Sequence, residues 1–242
     1  MQAESAPSNA VEDPNDLRNL CRIGGVAALI VLVYSLEMMI QIVVLGGQPT
    51  SAAEAFTLLQ HNKLVGLMRL DLPTILVLPL YYLLFLGLYA ALRLVDRAYA
   101  LLATALAFVG VTLSLATPTA LSMVPLADKY ASASSDAVRA QLIAAGEAIM
   151  AGDIWHSSGS IVGGVLVECG AVLICVVMLR SGIFSKTTAW LGIVMHSLDG
   201  AHIVCGQIVP VAGVVLMAIA GPLYPVWLFL VGRRLIKLGA KN

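Results

Sequence analysis

The stretch 154–179, IWHSSGSIVGGVLVECGAVLICVVML, is apolar for longer than a hydrocarbon core about 30 Å thick requires of a helix, yet it carries Glu168 in its interior. A charged side chain near a bilayer centre is expensive and as a rule faces the inside of a bundle, finds partners and marks a functional path. Length predicts a membrane helix here. The glutamate predicts that the helix is more than a lipid anchor.

Working outward, five further blocks of about 20 residues repeat the pattern at 23–45, 71–92, 99–122, 188–209 and 211–232. Sixty per cent of residues are apolar (60%), 12% are charged, and the mean hydropathy is +0.92. A soluble domain carries roughly 25% charged residues, so composition points to a membrane. The expected fold is an all-α, six-helix transmembrane bundle. The expected division is a disordered cytoplasmic tail over residues 1–20, a single six-span domain over 21–238 and a C-terminal tail over 239–242. Residues 1–16 are the polar, acid-rich part of that tail. Pro210 forces a very tight turn between the last two blocks; a long broken hairpin marked by Gly206, Pro210 and Gly213 is the alternative.

Lysine and arginine placement gives orientation. Arg18, Arg22, Arg93, Arg97, Arg180, Lys186, Arg233, Arg234, Lys237 and Lys241 fall on one side, against Lys63, Arg69, Lys129 and Arg139 on the other. Both termini are therefore expected in the cytoplasm, with the chain multi-pass in a cytoplasmic (inner) membrane. The first block is too long for a signal core and follows Glu4, Glu12, Asp13 and Asp16, so no cleavable leader is expected. A formal net charge of zero argues against a nucleic-acid partner. Four cysteines give no disulfide framework.

Two outer loops predict short amphipathic helices. Ser51-Ala52-Ala53-Glu54 has the spacing of a capping box, followed by Phe56, Leu59 and Leu64. Ser134 or Ser135 can cap a second helix to about Met150, with Val138, Leu142, Ala145 and Ile149 on one face. Prolines 73, 79, 118, 222 and 225 mark irregular spans, and Gly159 and Gly163 form a G-x-x-x-G suited to close helix packing.

The candidate site is a polar layer. Rising 1.5 Å per residue from each cytoplasmic end, His196 lies at about 12 Å, Glu168 and Asp199 at about 16 Å, and Glu37 and His202 at about 21 Å. All five fall near the midplane. His196, Asp199 and His202 span an arc of about 120° of one helix, a single inward face. Such a layer can tie helices together, relay protons or hold a cation. A divalent metal is the alternative ligand, with His196, Asp199 and Glu168 as candidate donors, since histidine and carboxylate suit such ions. A b-type haem is disfavoured, because His196 and His202 share a helix and His156 sits at another depth. Arg69 and Asp71, a charged pair, and His156, beside Asp153 and Trp155, are polar residues expected at the outer mouth. No nucleophile elbow, P-loop or dinucleotide fingerprint is present, which leans against an enzyme. The leading expectation is a small transporter or channel-like protein with a protonatable midplane site. Its rivals are an intramembrane metal-dependent enzyme and a non-catalytic accessory subunit. Expected partners are the lipid bilayer and a homo-oligomer or membrane partner subunit.

Several stretches carry a resemblance: Leu67-Met68-Arg69-Leu70-Asp71-Leu72 leading to Pro79-Leu80-Tyr81-Tyr82-Leu83-Leu84; Ala127-Asp128-Lys129-Tyr130-Ala131 through Ala144-Ala145-Gly146-Glu147; Val177-Met178-Leu179-Arg180-Ser181 with Phe184-Ser185-Lys186-Thr187-Thr188-Ala189-Trp190-Leu191-Gly192-Ile193; and Trp227-Leu228-Phe229-Leu230-Val231-Gly232-Arg233. In order and spacing the chain after residue 20 resembles bacterial polytopic membrane proteins of the domain of unknown function (DUF) 4386 family. The resemblance implies six helices and the cytoplasmic membrane. It implies no activity, cofactor or catalytic residue.

Overall fold

The computed structural model describes residues 14–117 and 119–240, and every regular element among them is an α-helix. The expectations for residues 1–13, Pro118 and residues 241–242 lie outside the described residues. The long helices are α1 (Pro14–Val44), a second run made of α4 (Leu72–Val77) and α5 (Leu80–Leu92), α6 (Arg97–Leu115), α9 (Ser158–Arg180) and α10 (Lys186–Gly206). A final run is made of α11 (Pro210–Ala220) and α12 (Leu223–Gly239). Four short helices, α2 (Ala52–His61), α3 (Lys63–Arg69), α7 (Ala120–Ala131) and α8 (Asp136–Ala151), gather at one end.

By length and composition, four helical runs can cross a membrane: Asn15–Val44, Leu72–Leu92, Arg97–Ala131 and Ser158–Arg180. A fifth does so if α11 and α12, bent by 40°, form one broken span. Four or five crossings meet that standard, where six were expected. The helix that drops out is α10, which is 21 residues long but diluted by His196, Asp199 and His202. Only 22% of the most apolar window of the first run is buried, and Val43 and Val211 are 84% and 73% exposed. Apolar faces of this extent suit lipid, in keeping with a multi-pass membrane protein.

Glycine sets the spacing of the bundle. α6 and α9 run antiparallel with Gly110 against Gly163, and a Cβ on Gly163 would lie 2.6 Å from the Gly110 carbonyl. One on Gly170 would lie 2.6 Å from that of Ala103. Gly163 thus fulfils the packing expected of the G-x-x-x-G, whereas Gly159 has nothing closer than the Thr117 methyl at 3.9 Å. α1 meets α5 through Gly24 and Gly87, and α12 through Gly25 and Gly232. Contact between Gly239 and Arg18 and Arg22 draws helix out beyond the expected boundary, so residues 14–20 of the proposed tail are helical. At the far end Gln207-Ile208-Val209 makes the tight turn, and Pro210 opens α11, where its missing N–H is no loss.

The third block ends early. α6 stops at Leu115, and the chain restarts as α7 because Asp71 seizes its first amides. The Asp71 carboxylate is fully buried and accepts from the Thr119 amide (2.6 Å) and hydroxyl (3.0 Å) and the Ala120 amide (2.8 Å). The expected Arg69–Asp71 pair does not form. Arg69 instead donates to Glu54 (3.0 Å) and the Gly47 carbonyl (2.8 Å). Hydrogen bonds from Thr50 and the Arg69 guanidinium hold the Glu54 carboxyl below its ordinary range.

The two amphipathic helices expected outside the bundle are present as α2 and α8, capped by Ser51 and Ser135, but α3 and α7 join them around Phe56, Leu59, Leu70 and Met123. Asn62 ends α2 and caps α3, which turns Leu64 outward, 63% exposed. Glu147 of α8 accepts from the Ala52 amide at 2.7 Å and locks the cap. Asp71→Ala would leave two buried amides without an acceptor and is expected to destabilise the cap by about 3 kcal/mol, Asp71→Asn by less. Thermal unfolding in mild detergent checks this: the midpoints should fall in that order, and an unchanged Asp71→Ala protein would contradict the strut.

Candidate functional site

Glu168 lies at the middle of α9, and the glycines about it keep that helix close to its neighbours. α10 descends antiparallel beside it. Gly200 faces the Glu168 side chain, so the two backbones approach and His196 comes level with the carboxylate. The His196 Nδ1 to Glu168 Oε2 distance is 2.6 Å, with both residues buried. One turn further, Asp199 points the same way. The Pro222–Pro225 stretch opens α12 and sets Tyr224 between the acids, its hydroxyl 2.8 Å from Asp199 Oδ2 and 3.1 Å from Glu168 Oε1. Three helices therefore meet through four side chains.

Aromatic rings close one side of the cluster. The His196 ring meets Trp227 edge-on at 4.8 Å and Tyr224 at 5.5 Å. Trp227 and Cys175 fill the space beside Gly192, where a Cβ would collide with the indole nitrogen and the thiol sulfur. His196 Nε2 is buried and has no hydrogen-bond partner among the described residues. Tyr81 of α5 lies within electrostatic reach of Glu168 and Asp199.

Proton counting gives the cluster its chemistry. A phenol has one hydrogen, so Tyr224 cannot donate fully to two ionised carboxylates at once. Both contacts are satisfied when one acid also carries a proton. With Glu168 and Asp199 ionised and His196 neutral the group would hold two negative charges, and among the described residues no Lys or Arg bonds to any of the four. Bare charge in an apolar interior is costly. Neutrality is reached with two added protons, one in the His196–Glu168 pair and one between Tyr224 and the acids.

The five residues of the expected layer part company. Glu168, His196 and Asp199 join. His202 turns to α11, where its Nδ1–H donates to the Gly213 carbonyl at 2.9 Å and fixes the tautomer. Glu37 sits on α1, and among the described residues neither of its oxygens has a hydrogen-bond partner. His156 is outside, its ring on Asp153 at 2.8 Å, and Asp153 also takes the Trp155 and His156 amides and Gln48. Among the described residues no group of three His, Cys, Asp or Glu side chains, His196, Asp199 and Glu168 included, is placed to hold a metal ion. Tyr224 was missed. It and Trp227 carry the only hydrogen-bonding side chains of the run 211–232, and that isolation was the available signal.

No protein-family profile matches the chain, and neither a curated protein nor a solved structure does so. Tyr224→Phe removes the shared hydrogen and leaves Asp199 without this donor. It should destabilise the protein by about 1–3 kcal/mol. Thermal denaturation in mild detergent checks this; a variant as stable as the parent would contradict the shared-hydrogen arrangement.

Proposed function

We propose that this chain is a small proton-coupled transporter or channel-like protein of a bacterial cytoplasmic membrane, a six-span member of the DUF 4386 family with both termini inside. Its protonatable site is Glu168, His196, Asp199 and Tyr224. The observation that carries the reading is the charge balance of that cluster: two carboxylates, an imidazole and a phenol share hydrogens between three helices, and among the described residues no Lys or Arg bonds to them. A group neutralised by protons changes its hydrogen bonding whenever it gains or loses one. It therefore biases how α9, α10 and α12 sit together, which is the coupling a transporter needs.

Antiparallel succession of the long helices supports six crossings, α10 being the fifth and the bent α11–α12 pair the sixth. A polar helix such as α10 is tolerated in a bilayer when its polar face is turned to the bundle. The ten-to-four bias of Lys and Arg supports the orientation.

In liposomes with a pH-sensitive dye, the wild-type chain should dissipate an imposed proton gradient with or without a driven solute. Glu168→Gln should slow this by about 100-fold or more, the loss typical of removing a positioned proton-transfer group, while retaining its fold. Equal rates in the two proteins would reject the reading.

A further inference from the structure

We propose that Glu37 and Gln41 form an outer station for a small, hard, monovalent cation, a sodium ion or hydronium, separate from the Glu168 cluster. Both residues lie on α1, one turn apart, where Cβ atoms are about 5–6 Å from each other. Tyr34, Glu37 and Gln41 fall within about 60° of one another at 100° per residue, so all three share a face. Gln41 is 5% exposed although its side chain is polar, and its Oε1 has no hydrogen-bond partner among the described residues. The stem of Glu37 is half-exposed, yet both of its carboxylate oxygens are covered and unpartnered. Three covered acceptors on one face, with no donor reaching them among the described residues, call for an occupant that is positive or that donates.

Donor chemistry narrows the occupant. Every available atom is oxygen, which suits hard ions and not the thiolate- or imidazole-seeking metals. A single carboxylate neutralises one positive charge, so a monovalent ion leaves the site neutral among apolar helices. Further oxygens adjoin it: the Tyr34 hydroxyl is 2.7 Å from the Thr74 hydroxyl of α4, and either can be the donor, so one oxygen can turn toward a cation. Glu37 is in electrostatic contact with Tyr34, and Tyr81 is within reach of Tyr34, Glu168 and Asp199. Phenols thus link the station to the midplane cluster. The station stands on its own oxygens; only its role as the outer approach to that cluster rests on the transport reading.

The test is thermal unfolding of the purified protein while sodium chloride replaces choline chloride at constant ionic strength, repeated at two pH values. Binding to the folded state alone raises the midpoint with ligand concentration. The wild type should gain stability steadily with sodium, Glu37→Gln and Gln41→Leu should lose that response, and Glu168→Gln should keep it. A midpoint that follows pH and not sodium, with the dependence lost in Glu37→Gln, would identify the occupant as hydronium. A wild type indifferent to both, or a response lost only in Glu168→Gln, would overturn the site. Should a variant fail to fold, sodium-induced infrared difference spectra of the wild type decide: carboxylate and amide side-chain bands support the station, and their absence refutes it.

Discussion

Charge balance away from water governs the centre of this bundle. Glu168 and Asp199 share one phenol, and Glu168 also meets one imidazole, at a level where the surrounding side chains are apolar and the cationic side chains lie toward the helix ends. Arg180, at the end of α9, reaches Asp96 at 3.3 Å, and Arg234 reaches the Ile183 carbonyl at 2.5 Å. In the proposed reading a shared proton supplies the compensation that charge in such a place calls for. The contacts tie α9, α10 and α12 together, and in that reading their bonds depend on how many protons the cluster holds.

Asp71 is the instructive contrast. It is as buried as Glu168, yet its carboxylate receives two backbone amides and a hydroxyl at the start of a helix, where the peptide dipoles favour negative charge. Those donors cannot leave, so the group is fixed and structural. The partners of Glu168 are themselves titratable. Burial alone does not separate a strut from a site; the exchangeability of the donors does.

Run length made the long helices legible, and depth arithmetic put Glu168, His196 and Asp199 at one level. That arithmetic gives height and says nothing of direction around the bundle, so Glu37 falls in with residues it does not touch, while the wide arc of about 120° on α10 takes in His202, which faces α11 instead. His202 is drawn to α11 by the close approach of Gly206 and Gly213, a contact that exists only once the hairpin has folded. Tyr224 escaped because a tyrosine in an apolar run also suits the lipid interface. The outer cap was half legible. Its caps at Ser51 and Ser135 are local signals, whereas the pairing of Asp71 with Thr119 spans 48 residues and leaves no local trace.

Infrared difference spectroscopy between acid and alkaline pH tests the central claim most directly, since protonated carboxyl groups absorb apart from carboxylates. The account predicts a titrating carboxyl band in the folded wild type that weakens in Glu168→Gln and in Asp199→Asn, with a tyrosine band that changes alongside it and vanishes in Tyr224→Phe. A spectrum in which neither acid changes protonation while the protein stays folded would contradict a proton-exchanging cluster and leave it a fixed polar tie between helices.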